Sequence, residues 1–236
     1  MGFDFATRTH VGHRRKLNED AVLGRADQSI WAVADGMGGH EAGEVASTMV
    51  VDALGALSAA GSLESRFDRA IAALETVNGS LLALARSAQG RTIGSTVVGL
   101  LADDRQYRCF WVGDSRAYRL REGAIGQLTR DHSLVQNLVD AGMIEPHEAE
   151  NHPNANVVTR AVGADDPLLV DSVGGDLRSG DVFLLASDGL TRLAGKQELA
   201  AELATGDLEG AADRLIGLAL ERGAPDNVSL VIVRMN

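Results

Sequence analysis

Residues 30–36 read Ile30-Trp31-Ala32-Val33-Ala34-Asp35-Gly36, five apolar residues that stop on an aspartate and a glycine. A strand without polar alternation is buried on both faces, so it needs packing above and below. The same writing recurs twice: Cys109-Phe110-Trp111-Val112 runs into Gly113-Asp114-Ser115, and residues 182–186 run into Ser187-Asp188-Gly189. Further strands are predicted at 3–9, 21–23, 95–101, 107–113, 117–121, 168–173 and 228–233. Helical spacing lies between the strand blocks. Val45, Met49, Ala53 and Leu57 form one stripe, and Phe67, Ile71, Leu74, Val77, Leu81 and Leu84 form a second, with Ser62 as its N-cap. A last helix starts at an Asp207 cap, carries Leu208, Ala211, Leu215 and Leu218, and stops at Gly223 ahead of Pro225. Strands in blocks separated by blocks of helix predict an α+β fold, two packed sheets with helices outside. Residues 131–156 are polar and short-periodic and predict a small helical insertion or flap.

The chain of 236 residues is 45% hydrophobic and 23% charged, which excludes disorder and predicts a single domain over 1–236. Thirty-three acidic against 22 basic residues give a net charge of −11, which argues against a nucleic-acid or anionic-membrane partner. Cys109 is the single cysteine and sits inside an apolar strand, so it is read as a packing residue in a reducing compartment. Residues 1–16 have no apolar h-region, and Ala6 stands where a myristoylation pattern wants Ser or Thr. No apolar run approaches the length of a membrane span. A cytoplasmic monomer is expected.

Three buried strands thus each finish on an Asp beside Gly, while Asn18-Glu19-Asp20 and Asp226-Asn227 immediately precede strands. In an antiparallel sandwich the ends of some strands and the starts of others share one rim. A rim holding Glu19, Asp20, Asp35, Asp114, Asp188 and Asp226 repels itself unless positive charge sits among the acids. Divalent cations supply that charge. An all-oxygen donor set without Cys or a His pair selects Mg²⁺ or Mn²⁺; Ca²⁺ also fits and zinc is disfavoured. Any one Asp-Gly after a strand reads as a plain turn; the joint occurrence at strand termini makes the metal site. Of the nearby cations, Arg14 is read as a surface pairing residue and Arg15 as a phosphate ligand.

These motifs carry a resemblance. Arg15 with Asn18-Glu19-Asp20, then Val33-Ala34-Asp35-Gly36-Met37-Gly38-Gly39-His40, Gly94-Ser95-Thr96, Val112-Gly113-Asp114-Ser115-Arg116, Asp131-His132-Ser133, Ser187-Asp188-Gly189-Leu190 and Asp226-Asn227 resemble, in order, the motifs of the metal-dependent protein serine/threonine phosphatases, the PPM or PP2C family. The form Asp35-Gly36-Met37-Gly38-Gly39-His40 looks like the bacterial branch. The resemblance implies a four-layer αββα sandwich, two antiparallel sheets flanked by helix pairs, with the metal site at one rim. It further implies that Asp35 bridges two Mn²⁺ or Mg²⁺ ions, that the Gly36 carbonyl completes the first, and that Asp188 and Asp226 hold the second. Glu19 and Asp20 would order metal-bound waters, Asp114 and Asp188 match the ligands of a third ion, and Arg15 matches the substrate-phosphate arginine. The segment 132–156 matches a flap beside the site. Phosphoproteins are the implied substrates, with a Ser/Thr kinase acting on the same targets as the implied partner.

Two cations sharing a water lower its pKa and aim it at phosphorus, and the leaving alkoxide then needs a proton. His40 is a candidate donor, set against a purely structural role in its loop. His132 and Ser133 read as a helix N-cap. Ser115 has no His and Asp partners at triad spacing. Two other classes remain as alternatives: a phosphoprotein-binding module without turnover, which predicts missing acids, and a metal-dependent hydrolase of small phosphoesters.

Overall fold

The computed structural model describes residues 2–38, 42–88 and 92–236, with Glu150 as backbone only. Two antiparallel sheets lie face to face. In the first, β2 (Asp20–Arg25), β3 (Ile30–Gly38), β5 (Val97–Ala102), β6 (Gln106–Val112) and β9 (Asp171–Asp176) are neighbours in that order, and β4 (Ile93–Ser95) pairs with the end of β3. The second runs β1 (Phe3–His10), β11 (Val228–Met235), β10 (Val182–Ala186), β7 (Arg116–Arg121), β8 (Ala124–Gln127).

The uninterrupted apolar writing of β3 follows from its two partners. Trp31 and Val33 point between the sheets, onto Phe183, Leu185, Val231 and Val233. Ile30, Ala32 and Ala34 point the other way, onto α1 (Ala42–Gly55) and α2 (Leu63–Ser87) through Val50, Leu54, Leu74 and Leu81. The outer face of the second sheet, with Leu184, Leu230 and Ile232, is covered through Leu199 and Leu215 by α5 (Lys196–Leu203) and α6 (Leu208–Glu221). Helices, sheet, sheet and helices make four layers. Close packing sets residue size as well: a Cβ on Gly99 would stand 2.2 Å from the Phe110 ring, which crosses that position to meet Phe67 of α2.

Both expected caps are present. Ser62 Oγ accepts from the Ser65 amide at 3.2 Å, and Asp207 Oδ1 accepts from the Gly210 amide at 3.0 Å. One strand lies elsewhere than predicted: 168–173 gives way to Asp171–Asp176. Leu168 and Val170 are apolar because they pack as loop against the core under α1 and α2, while the strand itself is fixed by pairing Asp171–Asp176 along β6. The sequence reading also omits β8, a four-residue edge strand, and the short helices α4 (Asp188–Thr191) and α5, the latter with only Leu199 and Leu203 buried.

Residues 132–159 form an excursion between β8 of the second sheet and β9 of the first. The neck is closed by Leu134 N to Val157 O and Thr159 N to His132 O, both 2.8 Å. Within it α3 (Leu134–Asp140) is capped by Ser133 Oγ, which accepts from the Gln136 amide, and a 3₁₀ turn follows at Pro146–Asn151. His132 does not cap: its Nδ1 accepts from the Gly113 amide at 3.1 Å, its Nε2 faces Asp171 Oδ2 at 3.1 Å, and its ring stacks on Trp111. Asp131 takes a bidentate pair from Arg116. Among the described residues no helix is long and apolar enough to cross a membrane.

Candidate metal centre

The hairpin of β2 and β3 puts Asp20 directly opposite Asp35. The ends of β6 and β10 and the start of β11 bring Asp114, Asp188 and Asp226 to the same rim, because antiparallel pairing of β10 and β11 sets the end of one beside the beginning of the other. Cross-sheet hydrogen bonds fasten that rim. Ser187 Oγ donates to Asp20 Oδ2 at 2.9 Å and accepts from the Ser229 amide at 3.0 Å. Asn227, buried, accepts the Glu19 amide on Oδ1 at 2.8 Å and donates from Nδ2 to the Val11 and Leu17 carbonyls at 2.9 and 3.0 Å. It thereby pins both ends of the exposed turn that carries Arg15. Replacing Asn227 by Ala would strip three backbone partners at once, and about 3 kcal/mol of lost stability is expected, read as a lower denaturation midpoint with unchanged slope.

The backbone of Asp35 is held independently of its carboxylate. The Thr96 amide donates to Asp35 O at 2.8 Å, Ser95 Oγ does so at 3.1 Å, and the Asp35 amide donates to Thr96 Oγ1 at 3.2 Å. Gly36 donates to Glu19 O at 3.0 Å, and a Cβ there would lie 2.0 Å from Gly43 O. Only glycine lets β3, the start of α1 and the Glu19 turn meet this closely.

The acids repel one another as the sequence pattern implies. Burial, then the charges of Asp20, Asp188, Asp114 and Asp226, hold the Asp35 carboxyl well above the usual carboxylate range. Burial raises Asp20 to about 7, against hydrogen bonds from Ser229 and Ser187. Asp114 is also pushed up to about 7, by burial and then by Asp188. Burial raises Asp188 and Glu19 too. Two arginines answer part of this charge. Arg15 Nη2 stands 2.8 Å from Asp226 Oδ2, with Nη1 4.0 Å from Glu19, and Arg192 Nη2 stands 3.0 Å from Asp188 Oδ2 and 3.4 Å from Asp114 Oδ2.

Among the described residues no three of these side chains surround one point in ligand geometry: Asp226 is turned to Arg15 and Asp188 to Arg192. The rim nonetheless has the chemistry a hard divalent cation takes. Its donors are oxygens, its carboxyls are raised first by burial and then by one another's charge, and Asp20 Oδ1 and Glu19 Oε1 are buried without a partner among the described residues. A cleft of about 460 Å³ opens over it, lined by Arg15, Asp35, Gly36, Asp188 and Asp226 on the floor and by residues 156–158 on the wall.

Of the residues singled out from sequence, Glu19, Asp20, Asp35, Gly36, Asp114, Asp188, Asp226 and Arg15 all lie at this rim. His40 lies outside the described residues. Arg14 is exposed and, among the described residues, makes no ion pair, contrary to the expected surface pairing. Sequence reasoning missed Arg192 as a site residue. Its signal was the i,i+4 spacing from Asp188 across one helical turn. The buried hydroxyl pair Thr96 and Ser115, 2.8 Å apart, had no spacing signal because the two come from separate junctions, Thr96 between β4 and β5 and Ser115 between β6 and β7.

Residues 9–206 match the Protein phosphatase 2C family. The chain is similar to the serine/threonine protein phosphatase PstP of Mycobacterium tuberculosis, 37% identical over 97% of this chain and 44% of PstP, so it spans less than half of that relative's length. The protein phosphatase PhpP of Streptococcus pneumoniae is 36% identical over 97% of this chain and 96% of its own. Among solved structures, PppA of Pseudomonas aeruginosa superposes with a TM-score of 0.91 at 41% identity, covering 99% of this chain and 98% of that one. The PstP catalytic domain in complex with two manganese ions superposes at 0.89 with 34% identity, covering 100% of this chain and 99% of that one. Motif order, two-sheet sandwich, acidic rim and relatives agree, and the chain belongs to the protein phosphatase 2C family of bacterial serine/threonine phosphatases.

Proposed function

We propose that this single domain hydrolyses phosphoserine and phosphothreonine in proteins, opposing a Ser/Thr kinase in a reducing, cytoplasmic setting, with Mn²⁺ or Mg²⁺ held at the acidic rim. The observation that carries the reading is the convergence of Asp35, Asp114, Asp188 and Asp226 on one cleft, with Asp20 buried opposite Asp35 and Arg15 lining the same cleft. Asp35, the Gly36 carbonyl, Asp188 and Asp226 would hold two cations, Asp114 with Asp188 would take a third, and Glu19 and Asp20 would accept hydrogen bonds from waters around them. The cations, when bound, supply a water of lowered pKa and neutralise phosphoryl charge.

The protein's own groups do the rest. Arg15 is a planar, permanently charged fork at the cleft edge, suited to two phosphoryl oxygens. Its pairing with Asp226 aims it inward and is exchanged for phosphate when substrate arrives. Asn227 keeps that turn in place. Residues 132–159 form a flap whose return limb carries 156–158, the wall against which a peptide on either side of the phosphoresidue would lie. His40 remains the candidate proton donor to the leaving alkoxide.

Arg15→Ala is expected to raise KM for a phosphothreonine peptide by about tenfold to a hundredfold, the loss of one charge-assisted phosphate contact, with a smaller change in kcat. An unchanged KM would remove Arg15 from phosphate binding. The substrate class is tested by phosphate release from phosphoserine, phosphothreonine and phosphotyrosine peptides and from a nucleoside monophosphate. Release from the first two in preference to the others is expected. Tight peptide binding without release would make the chain a binding module, and preference for the nucleotide would make it a small-molecule hydrolase.

A further inference from the structure

The flap is held to the body by few polar ties. Its neck is the pair of backbone hydrogen bonds at Leu134 and Thr159. Beyond the neck, among the described residues, two side chains of the body reach it: Arg130, which pairs with Asp140 on the outer side, and Arg192, which donates from Nη2 to the Ala155 carbonyl at 3.1 Å on the side of the cleft. The same nitrogen hydrogen-bonds Asp114 Oδ2 at 3.4 Å and stands 3.0 Å from Asp188 Oδ2. Asp114 is buried and Arg192 itself is about a third exposed.

We propose that Arg192 is a positioning residue: its guanidinium ties the return limb of the flap to Asp114 and Asp188 and so fixes the wall of the cleft that an extended phosphopeptide must fit. The two N–H groups of Nη2 are used by Ala155 O and Asp114 Oδ2, and the full charge lies against Asp188, so one group is shared between flap and floor. Residues 156–158 follow Ala155 immediately and line the cleft beside Asp35 and Asp188. Moving Ala155 therefore moves the wall. Behind the tie lies a cavity of about 180 Å³, bounded by Val135 and Ala149 of the flap and by Asp114, Asp188 and Arg192 of the body. The flap has room to shift there, so packing alone does not fix it and a polar tie matters.

The kinetic part of this inference rests on the phosphatase reading, and the exchange part does not. Amide hydrogen exchange is measured on the full chain, with and without Mn²⁺, in wild type, Arg192→Gln and Arg192→Lys. The reporters are the Ala155 and Val157 amides, which bond His152 O and Asn154 O inside the return limb, with β10 as the reference. Arg192→Gln is expected to exchange about tenfold faster at Ala155 and Val157, with β10 unchanged and with partial recovery in Arg192→Lys, which keeps the charge but has one nitrogen for three partners. Unchanged exchange at both amides in Arg192→Gln would overturn the tie. For turnover, KM for a phosphothreonine peptide is expected to rise about tenfold, and to rise more than KM for p-nitrophenyl phosphate, which is too small to reach the wall. An equal shift for both substrates would place Arg192 at the phosphate and overturn the positioning role. Faster exchange in a protein without turnover would sink the phosphatase reading and leave the tie standing.

Discussion

Asp35→Asn is expected to lower kcat/KM by about a thousandfold or more while raising the thermal midpoint of the metal-free protein. The two effects share one cause. Asp35 has four carboxylates around it and, among the described residues, no arginine in ion-pair contact with its side chain, so its charge has no counter-charge except a bound cation. Asparagine keeps the shape and removes the repulsion, so folding without metal becomes easier. It also removes the charge expected to hold both cations, so activation of water and phosphoryl charge stabilisation are lost together, several kcal/mol of the barrier. The backbone bonds of residue 35 to Ser95 and Thr96 do not involve the carboxylate, so the sheet stays in register. Steady-state kinetics and a melting curve in EDTA check both halves. A fall in both activity and midpoint would assign Asp35 to structure.

A second large effect is pH dependence of the metal-free fold. Asp20 and Asp114 stand at about 7 in the folded chain against an ordinary value of 3.8. Between those values the folded state binds more protons than the unfolded state, so the stability they contribute is fully present below about pH 4 and is lost as pH rises through about 7. The two contributions do not add, since protonating one acid of the cluster relieves the others. In EDTA a midpoint about 10 °C lower at pH 8 than at pH 5 is expected. Asp114→Asn should flatten that dependence. Mn²⁺ should restore the midpoint at pH 8, by about 2.7 kcal/mol for each site at a hundredfold excess over Kd. A midpoint independent of pH in EDTA would mean that burial and the neighbouring charges do not raise these carboxyls in the folded chain.

How much of this was readable beforehand follows from the kind of signal each part leaves. Both-face burial writes itself as an unbroken apolar run, so β3, β6 and β10 and the two-sheet sandwich were legible. Acids at strand ends are local in sequence, so the rim could be assembled from one rule about antiparallel topology. Elements governed by partners elsewhere were not legible. The start of β9 is set by pairing with β6, and Leu168 and Val170 mimic a strand because loop residues pack there. His132 sits where a cap would, yet it is drawn to Gly113 and Asp171 from other parts of the chain. Arg192 reads as an ordinary helix-surface arginine until the return of the flap places Ala155 beside it.

The central claim is that the acidic rim works as a cation site for phosphoester hydrolysis. Its most direct test is phosphate release from a phosphothreonine peptide by EDTA-stripped protein, followed as Mn²⁺ is added back. The expected result is no release in EDTA and a saturable return of turnover with Mn²⁺. Equal release in EDTA and in Mn²⁺, or none at any Mn²⁺ concentration from folded protein, would contradict it.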